Sequence, residues 1–335
     1  MRTIDWVDGE IHLIDQTRLP DELVVLRVDT LDALVDAIAR LAVRGAPALG
    51  VAGAMGVALL AERPADPGAV RAGAARLRAA RPTAVNLAWG VDRALARLPE
   101  GPVAVLAEAL AVRDEDIAAC AAMAVRGADL VTELTGRDRV TVMTICNTGA
   151  LAAVERGTAL GVAGELHARD QLAEVLVLET RPLLQGARLT AWELDRMGAP
   201  HRLLVDSAAA FTLSRGLADV VLIGADRITA NGDTANKVGS LALALAARHA
   251  GVPFLVVAPE STVDLATPDG RGIEVEERSA GEVTAFRGVP VAPVGTRTLN
   301  LAFDVTPAGL VTAIVTDRRV ARLDQGGTPA DPVPA

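Results

Sequence analysis

The second half of the chain alternates short apolar runs with segments of helical periodicity, and this alternation constrains the fold more than any other feature. The runs are nearly continuous in aliphatic residues, which is typical of strands buried on both faces of a parallel sheet. Helices are expected around 149–161, 188–198, 207–216 and 237–250. The pattern predicts an α/β fold in which helices cover a parallel sheet. The apolar runs are RVTVMTI, EVLVLE, RLLVD, DVVLIGA, PFLVVAP and LVTAIVTD.

The first half has a different pattern. Asp8-Gly9 lies between two alternating runs and indicates a β-hairpin, and LVVLRV at 23–28 indicates another strand. We therefore expect a mainly helical domain over 1–125, a sheet domain over 126–323 with the polar stretch 125–137 as the boundary, and a disordered tail over 324–335. Helical periodicity covers 31–43, about 48–61, 68–80, 84–98 and 103–124.

Composition excludes several classes of protein. A net charge of -9 and an aromatic content of 2% disfavour nucleic-acid binding. The first 15 residues lack the basic and then apolar regions of a signal peptide, and the longest uncharged apolar run, 46–61, is shorter than the roughly 20 residues of a membrane span. Two cysteines without a spacing pattern fit a reducing compartment. We expect a cytoplasmic protein that binds neither nucleic acid nor membrane.

Polar residues follow several of the predicted strands. Because ligands of open parallel sheets bind at the carboxyl ends of the strands, these residues predict a small-molecule site at that edge. They are Cys146, Asn147, Thr148, Thr180, Arg181, Gln185, Asp206, Ser207, Asp226, Arg227 and the loop 231–237.

Simpler structural roles compete with this interpretation. Cys120 lies on an apolar helix face and is expected to pack in the core, whereas Cys146 stands at a strand end before polar residues and glycine, which favours a functional role. Asp206 is expected to cap the next helix. Asp226 fits the site and a capping or ion-pairing role equally well, and 231–233 forms a good turn without any ligand.

The chain contains a single lysine, Lys237, among 33 basic residues. It contains five asparagines, of which Asn231 and Asn236 lie in the same stretch, 224–240. Because all other Lys or Arg positions hold arginine, we infer that position 237 requires a property of lysine that arginine lacks. We expect Lys237 at the start of the 237–250 helix, inside a closed site beside Asn236 and near Asp226.

Two arginine-led loops, Arg44-Gly45-Ala46-Pro47 and 81–86, precede apolar helices in the first half. A helix start with free N–H groups and an arginine favours an anion such as phosphate. The alternative is a surface arginine with a proline that begins a helix. Together with Lys237, the loops predict a phosphorylated ligand held between the two halves.

Several signatures of cofactor sites are missing. Gly50-x-x-Gly53-x-x-Gly56 lacks the spacing of a dinucleotide-binding loop and is expected to let helices pack closely. The four histidines show no metal-ligand spacing. We therefore expect neither a metal nor an organic cofactor. The histidines are His12, His167, His201 and His249.

Seven blocks of sequence follow one another in a recognisable order along nearly the whole chain: RGAPALG, RPTAVNLAWGVDR, CNTGALA, ETRPLLQGARLTAWEL, GADRITANGDTANKVGS, IEVEER and AFDVTP. In these blocks the chain resembles the methylthioribose-1-phosphate isomerases, relatives of the regulatory subunits of the eukaryotic initiation-factor guanine-nucleotide exchanger. The resemblance implies a helical N-terminal domain, a Rossmann-like C-terminal domain and a homodimer.

The resemblance also implies an activity, the aldose–ketose isomerisation of 5-methylthioribose 1-phosphate to 5-methylthioribulose 1-phosphate in methionine salvage. Cys146 and Asp226 match the catalytic pair. The positions that match substrate ligands are Arg44, Gly45, Ala46, Arg81, Gln185, Asn236 and Lys237.

Two departures from the family pattern leave the substrate open. Ile145 stands where the family often has histidine, and Leu299-Asn300-Leu301 stands where it often has Tyr-Asn-Pro. Alternative substrates are 5-deoxyribose 1-phosphate and ribose 1,5-bisphosphate, and a regulatory binding subunit is the non-enzyme alternative.

Overall fold

The fold is described from a computed structural model that covers residues 2–62, 66–82 and 84–332. Within these ranges, no helix is both long and apolar enough to cross a membrane.

Among the described residues, the first part of the chain contains three strands and five α-helices. Asp8 and Gly9 both have positive φ, 51° and 84°, as the predicted tight hairpin between the first two strands requires. The elements are β1 (Ile4–Val7), β2 (Glu10–Ile14), β3 (Val25–Val28), α1 (Leu31–Ala39), α2 (Ala46–Ala61), α3 (Pro67–Arg78), α4 (Val85–Leu95) and α5 (Pro102–Thr135).

The second part contains most of the strands. The strands are β4 (Val140–Thr144), β5 (Leu172–Leu178), β6 (His201–Leu204), β7 (Val220–Ile223), β8 (Arg227–Thr229), β9 (Thr234–Lys237), β10 (Phe254–Val257), β11 (Val263–Asp264), β12 (Ala285–Phe286), β13 (Val289–Pro290), β14 (Phe303–Thr306), β15 (Ala313–Val315) and β16 (Val320–Arg322). The helices are α6 (Ala159–Ala168), α7 (Ala191–Met197), α8 (Ala209–Ser214), α9 (Ser240–Ala250) and α10 (Gly281–Thr284).

Seven strands form the predicted sheet in the order β16-β15-β10-β7-β4-β5-β6. All neighbours are parallel except β15 and β16 at one edge. The chain begins this sheet with β4, adds β5 and β6 on one side and then returns to place β7 and β10 on the other. The strand order therefore reverses between β4 and β7, and the carboxyl ends of these two strands border the crevice where such sheets bind ligands.

A smaller four-stranded sheet, β11-β8-β9-β14, lies beyond the end of β7. Its β8–β9 hairpin turns at 231–233, where Gly232 has φ 92° and the Asn231 Oδ1 accepts a hydrogen bond from the Asp233 N–H at 3.0 Å. The turn predicted from the sequence is confirmed. The hairpin returns the chain toward Asp226, whose N–H donates to the carbonyl of Ala235 at 2.9 Å.

Helices α2 and α4 approach closely at glycines. A Cβ on Gly90 of α4 would lie 2.0 Å from the carbonyl oxygen of Gly50 on α2, and one on Gly53 would lie 2.7 Å from the carbonyl oxygen of Leu87. Larger residues would force the helices apart. The expectation that these glycines serve helix packing is confirmed.

Helix α5 runs through most of the stretch 125–137 that was predicted as the domain boundary. The helix continues to Thr135 and ends at Gly136 in the left-handed conformation. Val105, Ala109 and Val112 of α5 pack in the core of the first part, whereas Cys120 and Met123 pack in the core under the large sheet. One helix therefore belongs to both cores.

The end of the chain also differs from expectation. Residues 324–332 of the segment expected to be disordered are placed in the structure, where the Arg319 guanidinium donates to the carbonyl oxygens of Pro329 and Asp331. Residues 333–335 lie outside the described residues.

Candidate active site

Cys146 lies just beyond the carboxyl end of β4 and is 7% exposed. Its φ is 66°, an uncommon conformation for a residue other than glycine. Its N–H donates to the Thr180 hydroxyl at 2.8 Å, and its carbonyl accepts from the Thr190 hydroxyl at 2.6 Å. Because both backbone groups are bound to neighbouring loops, the thiol is held at the crevice between β4 and β7 in a conformation that often marks functional sites.

Arg44 reaches this cysteine from the first part of the chain. Its guanidinium donates to the side chain of Gln16 at 3.1 Å and to the carbonyl and side-chain oxygens of Asn147, and its Nη1 lies 4.0 Å from the Cys146 Sγ. The next residue, Gly45, has φ 98°, and a Cβ there would lie 2.5 Å from the backbone of Ala152. Only glycine permits this approach, so the predicted arginine-led loop sits directly against the loop that follows β4.

Asp226 follows β7 on the other side of the crevice, and Lys237 is the last residue of β9. The Lys237 Nζ donates to the carbonyl of Ala302 at 2.8 Å and lies 4.9 Å from the centre of the Phe303 ring. Lys237 is 8% exposed. Its burial is as expected, but its place is not: α9 begins at Ser240, and Lys237 lies in a strand because β9 pairs with β14.

The environment shifts the proton affinities of these groups. Burial raises the pKa of Asp226 above its ordinary value, against the opposing effect of Lys237, Arg81 and Arg44. Burial lowers the pKa of Lys237, while Cys146 and Asp226 oppose that effect. A carboxyl group with a raised pKa is suited to give and take protons near neutral pH.

A single pocket collects most of the residues predicted as site residues. Arg44, Gly45, Arg81, Cys146, Gln185, Asp226 and Lys237 all line it. Ala46 lines an adjoining small cavity instead. Asn236 is buried, and its side-chain amide donates to the Ser240 hydroxyl at 3.0 Å, so the structure places its amide against α9 and not on the pocket wall. The Gln185 Oε1 is buried without a hydrogen-bond partner among the described residues.

Sequence reasoning missed some pocket residues. Arg278 lines the pocket and is held by Glu276 at 2.9 Å and Glu282 at 2.6 Å. Arg81 lies 3.7 Å from the same Glu276. The only available signal for Arg278 was a lone arginine in the glutamate-rich stretch IEVEER. The remaining lining residues are Leu41, Leu183, Ala302 and Phe303.

Glu193 is a second missed residue. Its carboxylate accepts from the Asn147 side chain at 2.7 Å and from the N–H groups of Ala150 and Leu151 at 2.7 and 3.3 Å. Burial raises its pKa. Since Asn147 in turn contacts Arg44, a continuous hydrogen-bonded series, Arg44–Asn147–Glu193, fixes the loop that carries Cys146.

The structure shows the positions of Cys120 and Asp206, for which the sequence suggested structural roles. Cys120 is fully buried in the core under the sheet, as expected. Asp206 does not cap a helix, contrary to expectation, since its carboxylate accepts the N–H groups of Thr180 and Arg181 at 2.7 Å each. Asp206 thereby stabilises the loop that holds Cys146.

Within the described ranges, no group of three or more His, Cys, Asp or Glu side chains is arranged to hold a metal ion. The absence of a cofactor stays a prediction.

A family comparison decides where the chain belongs. Residues 42–321 match the model of the initiation factor 2 subunit family. The chain belongs to this family. That span contains every candidate site residue from Arg44 to Lys237 and also Arg278.

Curated relatives in the family carry isomerase names. A probable bifunctional methylthioribose-1-phosphate isomerase/methylthioribulose-1-phosphate dehydratase of Nocardia farcinica is 56% identical over 96% of this chain, which spans 60% of that relative's length. A methylthioribose-1-phosphate isomerase of Anaeromyxobacter is 51% identical, covering 96% of this chain and 95% of the relative. A 5-deoxyribose 1-phosphate isomerase of Moorella thermoacetica is 47% identical, covering 95% of this chain and 93% of the relative.

Two solved structures share the fold. The 5-methylthioribose 1-phosphate isomerase of Pyrococcus horikoshii superposes with a TM-score of 0.86 at 38% identity, covering 96% of this chain and 92% of the other. A structure titled translation initiation factor eIF-2B, subunit delta, from A. fulgidus gives a TM-score of 0.85 at 38% identity, covering 96% of both chains. The chain therefore has a mixed α/β fold with a parallel sheet like theirs.

Proposed function

We propose that this protein is an aldose–ketose isomerase that converts 5-methylthioribose 1-phosphate to 5-methylthioribulose 1-phosphate in methionine salvage. One observation carries the proposal: Cys146 and Asp226, from the two strands at which the sheet order reverses, face one pocket with four cationic side chains. The cations are Arg44, Arg81, Lys237 and Arg278. Arg278 is paired with Glu276 and Glu282, and Arg81 lies near Glu276, but Arg44 and Lys237 have no ion pair among the described residues, so the pocket favours an anionic ligand such as a phosphate monoester. The isomerase names of the relatives support the same assignment.

The chemistry follows from the substrate. Its anomeric carbon carries the phosphate ester, so the ring must open by cleavage of the bond between C1 and the ring oxygen. The ring oxygen gains a proton, the C2 hydroxyl loses one to become the ketone, and the hydrogen on C2 moves to C1. We assign the two oxygen proton transfers to Asp226, because its raised pKa suits both directions.

Cys146 takes part in the movement of the C2 hydrogen. In one route the thiol group carries it as a proton, and in the other the hydrogen passes directly to C1 as a hydride while Cys146 stabilises developing charge. The reaction in deuterium oxide tests the first route: deuterium at C1 of the product indicates proton transfer, and its absence indicates either direct transfer or return of the proton without exchange with solvent.

A small cavity beside Asp226 favours an apolar substituent at C5. Its walls are mainly hydrocarbon, and Arg81 is the one cation in its lining, so a phosphate placed there would lose hydration with fewer donors than the four cations of the main pocket offer. This observation favours methylthio or methyl over a second phosphate. The apolar walls come from Ala46, Leu49, Ala84, Val85 and Phe303, and Arg81, Asn86 and Asp226 complete the lining.

The proposal is tested by measuring kcat/KM for three sugar phosphates with the purified protein. We expect 5-methylthioribose 1-phosphate to exceed 5-deoxyribose 1-phosphate by about tenfold, since the added apolar group is worth about 1–3 kcal/mol. Ribose 1,5-bisphosphate should be the poorest substrate. A protein that turns over none of the three, while remaining folded, would contradict the assignment and favour a regulatory binding role like that named for the A. fulgidus structure.

Further features of the molecule are inferred together with this function. We infer a mainly helical N-terminal domain and a Rossmann-like C-terminal domain, joined through α5 where its contacts change between Val112 and Cys120. We also infer a homodimer, supported by exposed apolar side chains on the edge strand β6 and the adjacent segment, with Leu203, Val205 and Phe211 at 51%, 56% and 70% exposure. A cytoplasmic location fits a pathway of free sugar phosphates.

A further inference from the structure

A second, larger cavity lies apart from the pocket of Cys146 and Asp226. It is enclosed by α2, α4 and α5 on one side and by the loops that follow β10 and β15 on the other. It shares no lining residue with the pocket that contains Cys146. Its apolar wall includes Val51, Trp89 and Val112, and its polar wall includes Asn86, Asp116 and Glu260.

Three side-chain oxygens in this wall are inaccessible to solvent and have no hydrogen-bond partner among the described residues: Asn86 Oδ1, Asp116 Oδ2 and Glu260 Oε2. Asn86 is 2% exposed, and its amide nitrogen donates to the Ser261 hydroxyl at 3.3 Å. The other oxygen of Glu260 accepts from Arg319 at 2.6 Å. Buried polar atoms are rarely left without a partner. Above about pH 7, where Asp116 is ionised, the three unpartnered atoms are all acceptors, so a ligand that satisfies them must donate hydrogen bonds.

The charges of the wall select the sign of that ligand. Four carboxylates line the cavity against two guanidinium groups. Arg93 is bound to Glu108 at 2.6 Å and to Glu115 at 2.7 Å, and Arg318 lies 3.7 Å from Asp317. Each lining guanidinium thus has an acidic partner, and Arg319 holds Glu260 from outside the lining, so Asp116 is the lining carboxylate left without an ion pair among the described residues. Glu115, Asp116, Glu260 and Asp317 are the carboxylates.

Asp116 has no cationic partner among the described residues. The Cys120 thiol lies 4.0 Å from its Oδ1, and the Val154 backbone N–H also bonds the carboxyl group. Burial raises its pKa to about 7. A cation that donates hydrogen bonds in the cavity would stabilise the ionised form of the Asp116 carboxyl.

We propose that this cavity binds a short alkylammonium ion, whose ammonium group donates to the unpartnered oxygens while its alkyl chain packs on Val51, Trp89 and Val112. An ammonium group has three donors and no acceptor, which matches a wall of unpartnered acceptors. The aromatic face of Trp89 is already approached by Arg93, whose guanidinium carbon lies 5.4 Å from the ring centre, so the ligand's charge is best met by the carboxylates. The cavity shares Asn86 with the small cavity beside Asp226, but the proposal does not depend on which substrate the other pocket takes.

The test is ligand-observed saturation-transfer NMR on the full chain with three four-carbon probes: n-butylammonium, 1-butanol and butyrate. We expect millimolar binding of n-butylammonium and no saturation of the other two. Inorganic phosphate, which would occupy the pocket of Arg44, Arg81 and Lys237, should not displace the amine. Competition by phosphate would show that the amine binds in the pocket of Arg44, Arg81 and Lys237. Equal binding of 1-butanol would show that the cavity recognises the alkyl chain and not the charge. Either result, or no amine binding up to about 50 mM, overturns the proposal.

Two variants complete the test. Asp116→Asn keeps the shape of the side chain and removes its charge, and should weaken amine binding at least tenfold. Asp114→Asn removes an exposed carboxylate from the same helix, outside the cavity lining, and should change binding by less than twofold. Thermal denaturation confirms that both variants are folded. Equal affinities of the two variants would contradict the assignment of the ammonium to Asp116.

Discussion

Replacing Asp116 by asparagine should stabilise the folded protein at pH 8 while leaving its stability at pH 4 nearly unchanged. Burial raises the pKa of this carboxyl from 3.8 to about 7 in the folded protein. Between those pH values the folded state binds more protons than the unfolded state, so the free energy of unfolding falls as the pH rises. The contribution of the protonated carboxyl is fully present below pH 4 and lost above pH 7. Asparagine has the same shape and does not titrate.

The size of the effect follows from the same values. A rise from 3.8 to about 7, at about 1.4 kcal/mol for each tenfold change in proton affinity, corresponds to about 4 kcal/mol. Part of the Asp116 side chain reaches the open cavity, where solvent screens the charge, so we expect about 2–4 kcal/mol.

The assay is urea unfolding of wild type and variant at pH 4.5, 6, 7 and 8. The quantity of interest is the difference in unfolding free energy between the two proteins, which should grow in favour of the variant across this range. Asp114→Asn controls for the loss of one negative charge and should stay within about 0.5 kcal/mol of wild type throughout. A difference that is constant with pH would refute the argument that Asp116 is buried without a compensating cation.

The remaining predictions concern the pocket of the proposed isomerase. Cys146→Ser and Asp226→Asn should each fold normally and lose at least about 100-fold in kcat, as is typical of positioned acid–base groups. Cys120→Ala, the control, should lower stability and leave kcat unchanged. A kcat near the wild-type value in either pocket variant would remove that residue from the mechanism. Glu193→Gln places an amide where three N–H donors converge. At least one buried donor then has no acceptor, which costs about 1–3 kcal/mol of stability. We expect kcat to fall more than KM rises, and an unchanged kcat in a destabilised protein would show a purely structural role. Lys237→Arg should keep the fold and lose most of kcat/KM. Wild-type kinetics in this variant would show that the site does not require lysine at position 237.

Much of the fold could be predicted from local sequence. The apolar runs of the second half formed the sheet because strands buried on both faces require continuous aliphatic residues, and the Asp8-Gly9 hairpin followed from the backbone conformation that such a turn demands. The polar stretch 125–137 was predicted as the domain boundary from its polar residues and glycines, which do not show that most of it is helical. Only the packing of α5 against both cores reveals that the helix continues to Thr135.

The candidate site was predictable where residues follow a strand directly. Cys146 and Asp226 come to one crevice because parallel strands place their carboxyl ends at one edge. Glu193 could not be predicted in this way, since its role depends on a contact with Asn147 and with N–H groups more than 40 residues away in the chain. Arg278 reaches the pocket from a long irregular segment, for which sequence periodicity provides no position.

The single lysine makes physical sense in this setting. Lys237 lies in a strand with its Nζ between the Ala302 carbonyl and the Phe303 ring, and it shares the pocket with three arginines. A guanidinium is planar and needs room along its whole width, whereas an ammonium is compact and binds as a point charge. Burial also lowers the pKa of Lys237, a response open to lysine and closed to arginine, which stays charged in proteins. In the proposed isomerase, we expect the three arginines to hold the phosphate. We expect Lys237, alone among the four cations, to change its protonation as charge moves between substrate and protein.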